Sequence, residues 1–199
     1  MSEIAEKVQE SVEQGKESKL NGQIALFVAV VATFMALCNV KDGNVVQAMQ
    51  QSQAKSIDLW AYFQSKSTKQ HIAENAAEIF KAQLEMAGDV KPELRAKMEA
   101  RIAEQLALTK KYETEKEAIR KEAEQVGRDY DAMNVHDDQF DLAEACLSVA
   151  IALAGVTALT RRRWLFVMAG ALAAIGTVYG LAGFFHWQLH SDLMAKLLG

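Results

Sequence analysis

Proline occurs once, at Pro92, and β-branched residues are sparse outside two apolar regions. Ala, Glu, Gln, Lys, Leu and Met fill the polar stretches, and these are strong helix formers. Strands are therefore not expected, and the chain reads as all-α. Cysteine is nearly absent too. Cys38 and Cys146 stand alone in apolar surroundings, which excludes a CxxC metal site; they read as two small buried apolar residues, and their similar membrane depth leaves a disulfide between them open but unforced. Basic residues show no surplus. The net charge is −4 and Lys alternates with Glu through 81–128, which argues against a nucleic-acid partner. No P-loop, GxGxxG, HExxH or GxSxG occurs. No cofactor and no catalytic residue is expected, and the chain is read as no enzyme.

Charge itself is missing from long stretches, and there the positive information begins. A helix needs about 20 mostly apolar residues to cross the hydrocarbon of a bilayer. Residues 20–40 carry no charge, and neither does the stretch that opens WLFVMAGALAAIGTVYGLAGFF after Arg163. These predict spans at 20–40 and 164–186. The span between them is weaker. The uncharged run Ala145–Thr160 must be extended back to Phe140, giving 140–160 with Asp141 and Glu144 near its start.

The basic turn Arg161-Arg162-Arg163 (161–163) joins spans two and three. Short Lys- and Arg-rich loops stay in the cytoplasm. That places the N-terminal segment 1–19 inside as well, in agreement with Lys16 and Lys19. Segment 41–139 is then periplasmic or extracellular, and the tail 187–199 lies on the same outer side. Span one is preceded by Glu3, Glu6, Glu10, Glu13 and Glu17. It therefore reads as an uncleaved anchor, because a signal peptide has a basic leader.

Within 41–139, the run Gly88-Asp89-Val90-Lys91-Pro92 breaks a helical pattern into two arms, with a turn near 88–92. Glycine suits a left-handed helix C-cap, and proline suits the first helical turn. Ile72, Ala76, Ile79 and Met86 form one apolar stripe, with Ala73, Ala77, Phe80, Leu84 and Ala87 beside it. On the second arm the stripe is Leu94, Met98, Ile102 and Leu106, then Ile119, Ala123, Val126, Tyr130 and Met133. Each arm would rise about 65 Å. Matched arms and narrow stripes predict an antiparallel, coiled-coil-like hairpin. Glu113, Lys116, Glu117 and Lys121 read as its solvated face.

The first span, the segments Gln53-Ala54-Lys55-Ser56-Ile57 and Trp60-Ala61-Tyr62-Phe63-Gln64-Ser65-Lys66-Ser67-Thr68-Lys69, the stretch Gln139-Phe140-Asp141-Leu142-Ala143-Glu144-Ala145 and the turn Leu159-Thr160-Arg161-Arg162-Arg163 together resemble the bacterial membrane family DUF4337, a domain of unknown function. The resemblance covers nearly the whole chain. It implies the three-span topology and a place in the bacterial inner membrane, and it brings no activity, cofactor or site residue.

Small residues recur along the spans: Ala25, Ala29, Ala32 and Ala36 in the first, and Ala169, Ala173, Gly176, Gly180 and Gly183 in the third. Close backbone approach drives helix association in lipid. These seams predict either a homo-oligomer or tight packing of the three spans within one chain. Polar groups gather at the outer span ends. His136, Asp137, Asp138, Asp141 and Glu144 open span two, and His186, His190 and Asp192 follow span three. His186 and His190 share a helix face, and with His136 or Asp137 they are candidate metal ligands. The alternative is ordinary interfacial chemistry, with Asp138 capping span two and Asp141 and Glu144 at the positive end of its dipole. In an oligomer, Asp141 and Glu144 would ring a cation-attracting pore mouth. Trp60, Tyr62 and Phe63 form either hairpin core or a partner patch. Trp164, Tyr179 and Trp187 suit a membrane interface or packing. The expectation is a non-enzymatic, homo-oligomeric structural or interaction protein whose partner is the lipid bilayer, with a cation pore as the alternative.

Overall fold

The computed structural model describes residues 2–88, 90–185 and 187, with side chains from Lys19 onward. Among these residues there are three helices and no strand: α1 (Ser2–Met86), α2 (Pro92–Thr160) and α3 (Arg163–Phe185). The all-α expectation holds, and each helix contains a stretch long and apolar enough to cross a membrane. α1 runs through 40–41 and α2 through 139–140 without ending, so the edges expected for the apolar spans fall inside continuous helices. Asp138 therefore caps nothing, and Asp141 and Glu144 meet no helix dipole. The good helix formers on either side of these junctions continue the backbone hydrogen bonding, and a change in polarity alone does not stop a helix.

Helices end where the local chemistry requires it. Gly88 adopts φ +61° just past α1, and the Ala87 N–H donates to the Gln83 carbonyl at 3.1 Å. Pro92 opens α2, while the Leu94 and Arg95 amides donate back to the Lys91 carbonyl. Arg161 takes φ 58° between α2 and α3, donating its N–H to the Thr157 carbonyl at 2.7 Å. A left-handed non-glycine residue costs about 1 kcal/mol. The turn thus keeps its full run of basic side chains at some expense in backbone energy.

The chain forms two compact units, Met1–Met49 with Ala132–Gly199, and Gln50–Asp131. In the first, α1, α2 and α3 pack in layers. Val31, Leu147, Ala150 and Ala173 make one cluster, and Ile24, Ala154 and Ala169 another. The glycines of α3 set the spacing. A methyl group on Gly176 would lie 2.8 Å from Leu147 Cγ and 3.0 Å from the Ala143 carbonyl. One on Gly180 would lie 2.9 Å from both Cys38 Sγ and Phe34, and one on Gly183 would lie 2.7 Å from Phe140. Phe140 is fully buried there, edge-on to Phe184 at 5.5 Å. The α3 seam of Ala169, Ala173, Gly176, Gly180 and Gly183 is thus consumed inside the chain. The α1 seam is turned the other way: Ala25, Ala29 and Ala36 are exposed and Ala32 is half-buried.

In the Gln50–Asp131 unit, residues of α1 and α2 meet in descending order. Lys55 pairs with Glu122 at 2.8 Å and Lys66 with Glu115 at 2.6 Å, and Arg101 lies over Phe80. Inward positions step by alternating threes and fours: Ser52, Ser56, Leu59, Phe63, Lys66, Gln70, Ala73, Ala77, Phe80 and Leu84 on α1, and Met98, Ile102, Gln105, Thr109, Tyr112, Lys116, Ile119, Ala123 and Val126 on α2. This corrects the choice of stripe. Of the set beside Ile72, Ala73, Ala77, Phe80 and Leu84 face inward and Ala87 is exposed, whereas Ile72, Ile79 and Met86 are 62%, 56% and 80% exposed and only Ala76 of their stripe is half-buried. On α2, Leu94 and Leu106 are also exposed, and Lys116, read as solvated, sits half-buried over the Phe63 ring. Trp60, Tyr62 and Phe63 divide. Phe63 faces inward, while Trp60 and Tyr62 are exposed, the latter beneath the Lys66 ammonium at 5.0 Å.

Replacing Gly183 with valine should lower the thermal stability of the detergent-solubilised protein by about 1–3 kcal/mol, because a branched side chain overpacks against Phe140. Gly170→Val, where an added carbon meets nothing within 4 Å, should be near neutral in the same melts.

Candidate functional site

Ionisable residues of the first unit collect where α1 leaves its apolar stretch. Continuing the inward register of α1 from Ile24 through Val31 and Cys38 leads to Asp42. Its Oδ1 is fully buried and accepts no hydrogen bond among the described residues. Asp137, Asp141 and Glu144 of α2 face it, and Asp137 shares a side-chain hydrogen bond with it. Asn39, one turn earlier, donates from Nδ2 to Glu144 Oε1 at 3.3 Å. The long α2 helix places Asp137, Asp141 and Glu144 three and four residues apart on one face, which is why they gather instead of spreading around the helix.

Burial, and after it the negative charge of Asp137 and Asp141, pushes the Asp42 carboxyl up to about 6. The group therefore exchanges its proton near pH 6, above the ordinary carboxylate range. Such a cluster attracts cations and exchanges protons. Beside it, buried Gln139 donates to the Trp187 carbonyl at 2.8 Å, tying the end of α3 to α2.

The candidates read from the sequence are placed as follows. Asp137 joins the cluster. His136 lies half-buried next to it, with Nδ1 3.4 Å from Gln139 Oε1. Asp141 and Glu144 are exposed. Among the described residues no group of three or more His, Cys, Asp and Glu is arranged to hold a metal ion. His186, His190 and Asp192 lie outside the described residues, as does the side chain of Lys16. Cys38 is buried, Cys146 is half-buried, and both are free. Trp164 and Trp187 are exposed and Tyr179 is half-buried. Asp42, Asn39 and Gln139 were not singled out from the sequence. Asp42 was within reach of it, since it lies one turn beyond Cys38 on the same inward face.

These features define a class: an all-helical protein whose three helices are each long and apolar enough to cross a membrane, with a carboxylate cluster at one end of the apolar bundle. The chain belongs to the DUF4337 family, a domain of unknown function, whose model matches residues 20–186. No curated protein and no solved structure matches it.

The folded-state value of Asp42 lies above the ordinary aspartate value of 3.8, so the folded protein holds this proton more tightly than the unfolded chain. Stability present below about pH 4 is then lost as pH rises through 6. Asp42→Asn should flatten that loss and raise stability at pH 7.5 by about 1 kcal/mol, the full effect being reduced by solvent screening of a half-exposed group. Melts recorded from pH 4 to 8 check this, and a variant equally destabilised at every pH contradicts it.

Proposed function

We propose that this chain is a non-enzymatic, homo-oligomeric scaffold of the bacterial inner membrane. Three spans anchor it, and the Gln50–Asp131 unit is presented outside the bilayer as an antiparallel, coiled-coil-like hairpin. The observation that carries the oligomer is the outward α1 seam. Ala25, Ala29 and Ala36 are exposed although α3's small residues are used internally. In lipid, an unpartnered run of small residues lets a second helix approach closely. Insertion is supported by the outward Leu26, Val30, Leu37, Val149, Val167 and Val178, which form more apolar surface than a water-soluble monomer carries. The hairpin is supported by the descending cross-pairs from Lys55–Glu122 to Arg101 over Phe80. The basic residues Arg161, Arg162 and Arg163 favour a cytoplasmic turn, a cytoplasmic N-terminus and an outer hairpin. Lipid is the one non-protein partner of this reading, with neither nucleic acid nor cofactor.

Asp42 favours a second reading, a cation-conducting pore or transport component. It adds a half-buried carboxylate to the Asp141 and Glu144 mouth, and carboxylate rings select cations. Planar-bilayer recording separates the two. A pore gives cation current that Glu144→Gln or Asp42→Asn reduces, whereas a scaffold gives none.

Two outcomes test the scaffold. Ala29→Cys should give an oxidant-dependent dimer in membranes, with the wild-type chain as control, and Ala29→Phe should shift the solubilised mass toward monomer. Arg162→Cys should react with an impermeant maleimide only after permeabilisation. An Ala29→Cys chain that forms no oxidant-dependent dimer, or a solubilised wild-type chain that is already monomeric, removes the basis of the oligomer, and labelling of intact cells inverts the topology.

A further inference from the structure

The Gln50–Asp131 unit keeps a second apolar stripe that its own two helices do not cover. Ile72, Ile79 and Met86 stand seven residues apart on α1 and are 62%, 56% and 80% exposed. Asn75 and Ala82, also exposed, lie between them and Thr68 precedes Ile72, so the stripe carries no charge. Glu78 and Glu85, which flank it, are one position further round the helix.

The side of the pair on which this stripe lies follows from the cross-helix ion pairs. Lys55 and Lys66 of α1 reach Glu122 and Glu115 of α2. Glu122 and Glu115 are seven residues apart, and steps of seven back along α2 lead through Leu108 and Arg101 to Leu94. Lys55 belongs, by steps of seven, with Ala76 and Gln83 on α1, and the Ile72–Ile79–Met86 stripe is the next position outward on that flank. The stripe and Leu94, itself 49% exposed, therefore share one broad face near the turn. Phe80 sits opposite Arg101, so Met86 and Leu94 lie at the same level.

We propose that this face docks against the same face of a second copy, making a four-helix bundle in which α1 of each copy meets α2 of the other. The proposal rests on the hairpin and membrane-anchored oligomer argued above. Copies anchored in one bilayer are related by an axis along the membrane normal, which holds equivalent residues at equal height. A two-fold axis parallel to the helices of the hairpin sets each α1 antiparallel to the partner's α2, with Met86 of each copy against Leu94 of the other. The exposed parts of Ile72, Ile79, Met86 and Leu94 from two copies add up to on the order of 1,000 Å², about where a specific interface becomes stable. A lone partner helix would cover only the α1 stripe and leave Leu94 in water. A second copy covers both.

Full-length protein in nanodiscs tests this. Two differently tagged copies are co-expressed, one carrying Met86→Cys and the other Leu94→Cys, and mild oxidation should give the mixed disulfide dimer in at least ten-fold excess over a Glu78→Cys with Leu94→Cys pairing. Ile79→Lys, on an exposed position that leaves the fold intact, should reduce the mixed dimer at least ten-fold with unchanged helicity and melting. A mixed dimer no more abundant than the Glu78 control, Met86→Cys forming only dimers with itself, or no effect of Ile79→Lys would each overturn the proposal. Ala29→Cys cross-linking in the same discs keeps the two readings apart. If it persists while the Met86–Leu94 disulfide fails, this inference alone falls; if it fails while that disulfide forms, the α1 span seam falls and this face remains.

Discussion

Alternating steps of three and four residues keep one face of α1 turned inward, from Ile24, Val31 and Cys38 through Phe63 and Gln70 to Leu84. The step averages 3.5 residues, slightly less than an α-helical turn, which is what holds a packed seam against a partner helix. What lies on that seam changes along the chain. It is apolar from Ile24 to Cys38, then small and polar at Ser52 and Ser56, then mixed where Lys66 meets Glu115 and Tyr112, and apolar again at Phe80 and Leu84. A single register therefore serves two units of different chemistry without a break in the helix, and the local composition decides what each stretch packs against.

In the apolar unit the spacing is set by the glycines of α3. Gly176, Gly180 and Gly183 let its backbone approach Leu147, Phe34 with Cys38, and Phe140 more closely than any side chain would allow. Arg161 makes the approach of α2 and α3 possible at the other end, reversing the chain with one left-handed residue. A glycine there would be more comfortable. Arginine keeps the turn basic, so a modest backbone strain and one of three adjacent positive charges reside in the same residue.

The carboxylate cluster follows from the same register. Asp42 is carried inward because it occupies the position after Cys38, and it faces Asp137 and Asp141 because α2 continues past the apolar stretch without ending. Had α2 begun near Asp138, the helix N-terminus would have offset these charges. Instead burial and, after it, the neighbouring carboxylates raise the proton affinity of Asp42 at the margin of the bundle.

Much of this architecture was legible in the residues themselves. The three apolar stretches, the break at Gly88 and Pro92, the basic turn and the helical character of the polar arms depend on short-range chemistry: backbone propensity, left-handed caps and runs without charge. Two matters were decided only by tertiary packing. One was which small-residue seam turned inward; α3's did, because Leu147 and Phe140 of α2 fill the space its glycines leave, while α1 offered Phe34 and Cys38 and kept its alanines outside. The other was which of two adjacent stripes on the polar arm became core. Ala73 and Ala77 let α2 come close enough for Phe80 and Leu84 to pack, whereas burying Ile72 and Ile79 would hold the helices apart. A helix with apolar residues on more than one side has no inward face until a partner arrives, and the partner's shape lies far away in the chain.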